Sequence, residues 1–236
     1  MIALELLAPA KNLECGIEAI RHGADAVYIG AERFGARAAA GNSVADIAEL
    51  CRDAHVFGAK VYVTVNTLLT DDELTDAAAL LLQLNDIGVD AVLIQDLRLL
   101  NYTPDGLAMH ASTQTDNRSV ERVEEMARLG FQRVVVAREM PLADIRKVHE
   151  RLPRLEIECF VHGALCVSYS GACYASEHCF SRSANRGECA QFCRLPFDLV
   201  DAEGKTFIHA KHLLSLKDMC RIDALEELAD AGVCSF

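Results

Sequence analysis

The feature that most constrains the fold of this chain is a short motif that recurs along it. A glycine is followed within a few residues by a run of valine, isoleucine and alanine. The motif occurs at residues 23–30, 58–66, 88–96, 130–139 and 232–236. Glycine after a helix supplies the left-handed cap, and a continuous apolar run is typical of a strand buried on both faces of a parallel sheet. The motif therefore predicts helices that alternate with parallel strands.

Further segments complete this alternation. Apolar runs at 4–8, 107–112 and 155–162 bring the number of predicted strands to eight, and amphipathic stretches predict helices at 43–55, 71–86, 118–128 and 141–150. Eight such units predict an α/β fold, a TIM-like (β/α) barrel forming a single domain over residues 1–236. A doubly wound open sheet is the alternative. The last strand begins near Val233, so we expect the chain to be truncated in that strand.

The chain carries no signal of export or of membrane insertion. Its first residues lack a basic region, and no apolar run approaches the roughly 18 residues that a membrane helix needs. Ten cysteines without such a signal indicate a reducing compartment, so we expect a cytoplasmic protein with no membrane partner. The net charge of −12 argues against a nucleic-acid footprint over the whole surface.

Residues 163–215 interrupt the pattern after the seventh strand. This predicted insertion is rich in cysteine, serine, glycine, asparagine and arginine, and a loop of that length is usually functional or bound to something. It contains Cys166, Cys173, Cys189 and Cys193. Four thiolates suit either zinc or an iron–sulfur cluster. The wide spacing and the lack of C-x2-C knuckles favour a cluster, while zinc and unliganded buried cysteines remain alternatives.

The other cysteines divide into two groups. Cys179 and Cys220 are rivals for the fourth ligand position. Four more are expected to be small core residues, on helices or strands: Cys15, Cys51, Cys159 and Cys234.

Polar residues at the predicted strand ends form the candidate active site, because a barrel places its chemistry at the carboxyl ends of its strands. These residues are Glu5, Tyr28, Asn66, Gln95, Asp96, His110, Ser112, Thr113, Arg138, Glu139 and His162. The candidate catalytic residues among them are His110, Ser112, Glu139 and His162. Arg182, Arg186 and Arg194 interleave with the cysteines and are candidates for binding an anionic substrate.

Several of these segments resemble the collagenase-like U32 peptidase family. They are the opening ELLAPAKNLE at 5–14, GADAVYIG at 23–30, RFGAR at 33–37, FVHGALC at 160–166, YSG at 169–171, Cys173 and RGECAQFCR at 186–194. The resemblance covers essentially the whole chain, and the cysteine segment is its most specific part.

The resemblance implies more than the family's name. Members include oxygen-independent hydroxylases that act on the wobble uridine of transfer RNA or on a cytidine of large-subunit ribosomal RNA, drawing on prephenate. Others hydroxylate ubiquinone precursors and bind a four-iron cluster through four cysteines. The implied ligands here are Cys166, Cys173, Cys189 and Cys193, with Cys220 as the rival of the last. We therefore expect iron–sulfur-dependent hydroxylation of an RNA pyrimidine, with prephenate as co-substrate.

Two other functions remain open. The family name favours a peptidase, but the chain has neither His-Glu-x-x-His nor Gly-x-Ser-x-Gly, which leaves a Cys/His nucleophile pair. The third possibility is a non-catalytic scaffold whose metal staples the long loop. Iron with sulfide would favour redox chemistry, whereas zinc would favour the staple.

Overall fold

The computed structural model describes residues 4–36, 41–215 and 217–236 and contains a parallel sheet of eight strands. These are β1 (Leu7–Ala10), β2 (Ala26–Gly30), β3 (Lys60–Val65), β4 (Ala91–Ile94), β5 (Ala108–Ala111), β6 (Arg133–Val135), β7 (Glu156–Glu158) and β12 (Val233–Ser235). They are hydrogen-bonded in that order, and every neighbouring pair is parallel.

The sheet closes on itself where the last strand meets the chain before β1. Glu5 pairs with Ser235 as a parallel bridge, its N–H donates to the Cys234 carbonyl at 2.8 Å, and the Leu7 N–H donates to the Phe236 carbonyl at 2.9 Å. The predicted (β/α) barrel and its eight strands are confirmed, and the open-sheet alternative is wrong.

The helices cover the outside of this barrel. They are α1 (Leu13–Arg21), α2 (Val44–Val56), α3 (Leu74–Asp86), α4 (Val120–Arg128) and α5 (Leu142–Arg151), with α7 (Leu225–Asp230) before the last strand. The four predicted helices are confirmed, with starts that differ by one to three residues. Helix α2 begins one residue after its predicted start, because Ser43 is its N-cap and forms a capping box with Asp46. The link from β4 to β5 contains a 3-10 helix, Leu97–Tyr102, instead of an α-helix.

The strands are buried on both faces, so the chain has two cores. The larger one packs the helices against the outside of the barrel. The smaller one fills the inside and is built on Ala26, Tyr62, Ala91, Leu93 and Val135. Below these residues, toward the amino ends of the strands, the interior is polar and centres on the buried Arg133.

Between β7 and α7 the chain leaves the barrel. It forms β8 (His162–Ala164), α6 (Ala175–Phe180), a hairpin of β9 (Phe197–Val200) and β10 (Thr206–Lys211), and β11 (Asp218–Cys220), which pairs antiparallel with β8. The prediction that the seventh strand reaches His162 is wrong. Strand β7 ends at Glu158, because the chain then turns away to pair His162 with Cys220. Along the described parts of the chain, no helix combines the length and apolar character needed to cross a bilayer.

Candidate active site at the carboxyl end of the barrel

The predicted insertion is anchored at the carboxyl end of β3. The Leu68 N–H donates to the Asn185 carbonyl at 2.9 Å, and Arg186 donates back to the Leu68 carbonyl at 3.0 Å. The same guanidinium donates to both carboxylate oxygens of Glu73, each at 2.9 Å, and this lowers the pKa of Glu73 to about 2. Arg186 therefore fastens the insertion to the barrel, and its role in substrate binding stays a prediction.

A second anchor lies at the carboxyl end of β5. The Gly171 N–H donates to Oε1 of Gln114 at 3.0 Å, and the Thr113 hydroxyl lies 3.3 Å from that of Ser170. Gly171 has φ +73°, and a Cβ added there would lie 2.0 Å from the Gln114 carbonyl oxygen. Only glycine fits this approach. The segment between the first two predicted metal ligands is thus held against the barrel mouth.

The four predicted ligands lie near one another. Burial raises the pKa of the Cys193 thiol, and the charges of Cys166, Cys189 and Cys173 raise it further. Such charge interactions are strong only over short distances. Among the residues that the structure describes, no three His, Cys, Asp or Glu side chains are placed to hold a single metal ion. The thiols are therefore neighbours, but they are not drawn in around one ion.

Hydrogen bonds between side chains and the backbone connect the segments that carry these cysteines. Nη2 of Arg194, the residue after Cys193, donates at 3.2 Å to the carbonyl of Leu165, the residue before Cys166. The N–H of Ala190 donates to the Ser176 hydroxyl at 3.0 Å, which brings the Cys189 segment onto α6. The donor set is all thiolate and is suited to a soft metal or an iron–sulfur cluster. The chemistry of the donors therefore fits the group that the sequence implies, although the four thiols of the described chain are not arranged around a single ion.

The remaining cysteines are mostly placed as expected. Cys51, Cys159 and Cys234 are buried, and burial raises the pKa of Cys51 to about 12. The prediction that Cys15 is a core residue is wrong, because its side chain is exposed in the first turn of α1. The rival ligands Cys179 and Cys220 are exposed.

Ser112 lies at the barrel mouth directly after β5, as predicted. It is 1% exposed, and its hydroxyl accepts hydrogen bonds from Nδ2 of Asn66 at 3.1 Å and from the Gln114 N–H at 3.2 Å. These contacts connect the loops after β3 and β5. Ser112 thereby holds two loops of the barrel mouth together, and its candidate catalytic role stays a prediction.

His110 lies deeper than the mouth, inside the barrel. It is 4% exposed, and its ring packs edge-on against Tyr62 with centroids 4.9 Å apart. Burial, together with the positive charge of Arg133, lowers the pKa of His110 to about 3. The imidazole is therefore neutral at physiological pH, and its buried Nδ1 has no hydrogen-bond partner among the described residues. A neutral imidazole can donate and accept hydrogen bonds, but it carries no positive charge.

Three predicted site residues are less closely connected to this arrangement, although the charge of Glu139 helps to raise the pKa of Arg118 at the mouth. Glu139, His162 and Arg182 are exposed. Within the described ranges, no hydrogen bond or ion pair joins their side chains to one another or to the cysteines. Arg194, in contrast, lies directly beside the cysteine cluster.

Two stacks at the mouth were missed by the sequence reasoning. The Arg118 guanidinium lies 3.8 Å from the ring centroid of Tyr169, and the Arg138 guanidinium lies 4.3 Å from that of Phe160. The stack of Arg118 on Tyr169 could have been suspected from Asp116, an acidic residue in a turn two positions before Arg118. It adopts the left-handed conformation that Asp tolerates and holds the guanidinium through both carboxylate oxygens.

Known proteins resemble this chain over nearly its whole length. It is 51% identical over 99% of its length to a 23S rRNA 5-hydroxycytidine C2501 synthase of Escherichia coli strain K12, of which it spans 36%. It is 35% identical over 98% of its length to tRNA hydroxylation protein P1 of Bacillus subtilis strain 168, spanning 57% of that protein. A collagenase of Porphyromonas gingivalis strain W83 is 34% identical over 98% of the chain, which spans 59% of the collagenase.

The structural comparison agrees with the sequence comparison on the fold. A solved U32 peptidase superposes with a TM-score of 0.62 at 13% identity, covering 91% of each chain. The profile of peptidase family U32 matches residues 11–236. The chain belongs to peptidase family U32.

Proposed function

We propose that this protein hydroxylates a pyrimidine base of RNA without free oxygen, using a four-iron cluster held by Cys166, Cys173, Cys189 and Cys193. The observation that carries the proposal is the position of these thiols. They lie in a segment fastened to the carboxyl ends of β3 and β5, where a barrel holds its reacting groups. When bound, such a cluster supplies one-electron redox chemistry.

The relatives support RNA as the substrate. The relative at 51% identity is named for making 5-hydroxycytidine in 23S ribosomal RNA, and others are named for transfer-RNA hydroxylation. A cytidine of large-subunit ribosomal RNA is therefore the first substrate to test, and a uridine of transfer RNA the second. An RNA substrate and free thiols both support our proposal that the protein works in the cytoplasm.

The reaction also needs a co-substrate. Converting a C–H bond into C–OH removes two electrons from the base and adds one oxygen atom, so an oxygen donor and an electron acceptor must be supplied. Prephenate is the co-substrate that the family resemblance implies, and it carries carboxylates. Arg138 and Arg221 adjoin each other at the mouth, where Nη2 of Arg221 donates to the Arg138 carbonyl at 3.1 Å. Guanidinium groups suit carboxylate recognition, so we assign co-substrate binding to this pair.

The proposal is tested in a strain that lacks the gene. We expect mass spectrometry of its ribosomal and transfer RNA nucleosides to show the loss of one hydroxylated pyrimidine. Wild type and Cys15→Ser, which changes an exposed cysteine on α1, should restore it, whereas Cys189→Ser should not. Unchanged RNA, together with gelatin cleavage by cluster-free protein, would replace this proposal with a peptidase function.

A further inference from the structure

Tyr169 presents an aromatic ring to solvent in the segment between Cys166 and Cys173. The residue is 55% exposed, although Arg118 covers its ring with a guanidinium 3.8 Å from the centroid. Arg118 is fixed in turn, because Asp116 accepts from its Nε and, at 2.8 Å, from its Nη2. The guanidinium that covers one face of the Tyr169 ring is thus held in place, while the rest of the ring remains accessible.

The backbone next to Tyr169 is also fixed. Ser170 contacts Thr113, and the Gly171 N–H donates to Gln114, so the backbone that follows Tyr169 is held against the end of β5. A planar group that stacks on a prepositioned ring loses little further conformational freedom. Tyr169 therefore lies on a fixed backbone with a fixed guanidinium against its ring, and a planar partner can stack on it.

The position of the ring connects it to the proposed reaction. Tyr169 lies between Cys166 and Cys173 in the chain, and Thr113, which holds its neighbour, directly follows Ser112 at the barrel mouth. A group stacked on Tyr169 therefore contacts the segment that carries Cys166 and Cys173 and that is anchored at the mouth.

The charge distribution indicates how RNA could bind so acidic a chain. The whole chain has a net charge of −12, whereas residues 163–215 contain five basic residues (Arg182, Arg186, Arg194, Lys205 and Lys211) and five acidic ones (Glu177, Glu188, Asp198, Asp201 and Glu203). This segment is neutral and repels RNA less than the remaining surface. It also exposes the rings of Tyr174 and Phe180. Stacking of unpaired bases on aromatic rings does not require a strongly basic surface.

We propose that Tyr169, backed by Arg118, is a stacking platform for an unpaired RNA base next to the target nucleotide. The inference rests on the proposed function and names a substrate-binding residue for it. A base offers a π face to the ring, and the cation beneath strengthens the stack. Binding is then carried by stacking more than by phosphate neutralisation. It should therefore depend weakly on salt.

The test measures binding of a fluorescein-labelled single-stranded RNA dodecamer of mixed sequence to the intact protein by fluorescence anisotropy. Tyr169→Ala and Tyr169→Leu should weaken binding about tenfold or more, the loss expected for one base–aromatic stack. Tyr169→Phe should bind within about twofold of wild type, because it keeps the ring. Tyr102→Ala is the matched control, since Tyr102 is 48% exposed on the 3-10 helix after β4.

Salt dependence is the second measurement. Between about 50 and 200 mM salt, wild-type affinity should fall far less than the roughly thousandfold loss of a protein that contacts six phosphates. The inference is overturned if wild type does not bind the RNA, if Tyr169→Ala and Tyr169→Leu both bind like wild type, or if Tyr169→Phe loses as much as Tyr169→Ala. A hydroxylated base that still forms with Tyr169→Ala at wild-type rate rejects the platform alone. Failure to find any hydroxylated RNA base rejects the proposed function.

Discussion

Arg133, the first residue of β6, forms a buried ion pair with Glu5, 128 residues earlier in the chain. Its Nη1 lies 2.5 Å from Oε1 of Glu5, and the same carboxylate accepts hydrogen bonds from Tyr62 and Ser235. Burial opposes the charge on Glu5, but Arg133 overcomes it and holds the pKa of Glu5 at about 2. One guanidinium therefore joins the start of the barrel to its middle and its end.

Replacing Arg133 with methionine should strongly destabilise the protein. Glu5 would then lose its buried partner and keep only the exposed Lys60, whose Nζ lies 3.3 Å from Oε2 of Glu5. Removing one partner of a buried ion pair typically costs about 3–5 kcal/mol. Urea unfolding followed by circular dichroism measures the difference. Arg151→Met is the matched control, because Arg151 pairs with Glu124 at 2.9 Å on the surface and should cost less than about 1 kcal/mol. Equal effects of the two variants would show that the network adds nothing beyond an exposed pair.

Two buried groups should give opposite pH dependences of stability. Burial raises the pKa of Glu158 from 4.5 to about 7, so its contribution is fully present below pH 4.5 and is lost as the pH rises through 7. Burial lowers the pKa of His110 from 6.5 to about 3, so its contribution is present above pH 6.5 and is lost as the pH falls toward 3. Between about pH 4.5 and 6.5 the two largely offset each other.

Glu158→Gln should expose the effect of His110. Without the gain from Glu158, the free energy of unfolding should fall on acidification from pH 7 to 4.5 by about 3 kcal/mol more than in wild type. Urea unfolding at a series of pH values measures the slope. Glu226→Gln, which changes an exposed carboxyl group on α7, should leave the slope as in wild type. A variant curve parallel to the wild-type curve would reject the assigned pKa of Glu158.

Gly171→Ala should detach the insertion from the mouth of the barrel. The added Cβ would lie 2.0 Å from the Gln114 carbonyl oxygen, so the loop must move. Gly204→Ala is matched in conformation, with φ +83°, but its Cβ would have no atom within 4 Å and should cost only about 1–2 kcal/mol. Limited proteolysis should cleave residues 163–215 faster in Gly171→Ala only. Equal resistance of the two variants would contradict the close approach.

Iron content tests the ligand set. Protein purified without oxygen should contain about four iron and four sulfide per chain, as a four-iron cluster requires. Serine at Cys166, Cys173, Cys189 or Cys193 should abolish it, whereas Cys51→Ser should not. Stoichiometric zinc with no iron after anaerobic reconstitution would establish the staple instead. Full iron retention in Cys193→Ser would transfer the fourth position to Cys179 or Cys220.

The sequence predicted the barrel because its signals are local. A buried parallel strand needs a continuous apolar run, and a helix end needs its glycine, so each unit can be recognised from neighbouring residues. The sequence could not place Arg133, which reads as one polar residue at the start of an apolar strand. Its contact with Glu5 exists only after the barrel has closed, and closure is not encoded in any single segment.

The candidate site also has features with a local sequence signal and features without one. The cysteine spacing predicted a thiolate site, and the structure brings Cys193 near its three partners. The pairing of Arg186 with Glu73 spans 113 residues and has no local signal, so Arg186 could only be assigned by its charge. His162 was wrongly placed at the end of the seventh barrel strand, because an apolar run does not mark the residue at which a strand leaves the sheet.

The bridge between Glu5 and Ser235 has a consequence for folding during synthesis. The bridge and the backbone hydrogen bonds around it lie at opposite ends of the described chain, so the amino-terminal edge of the sheet has no partner until β12 has left the ribosome. An unpaired strand edge can pair with other chains, and contacts of such long sequence separation form slowly. The nascent protein therefore exposes this edge to other chains until its eighth barrel strand has emerged and paired with it.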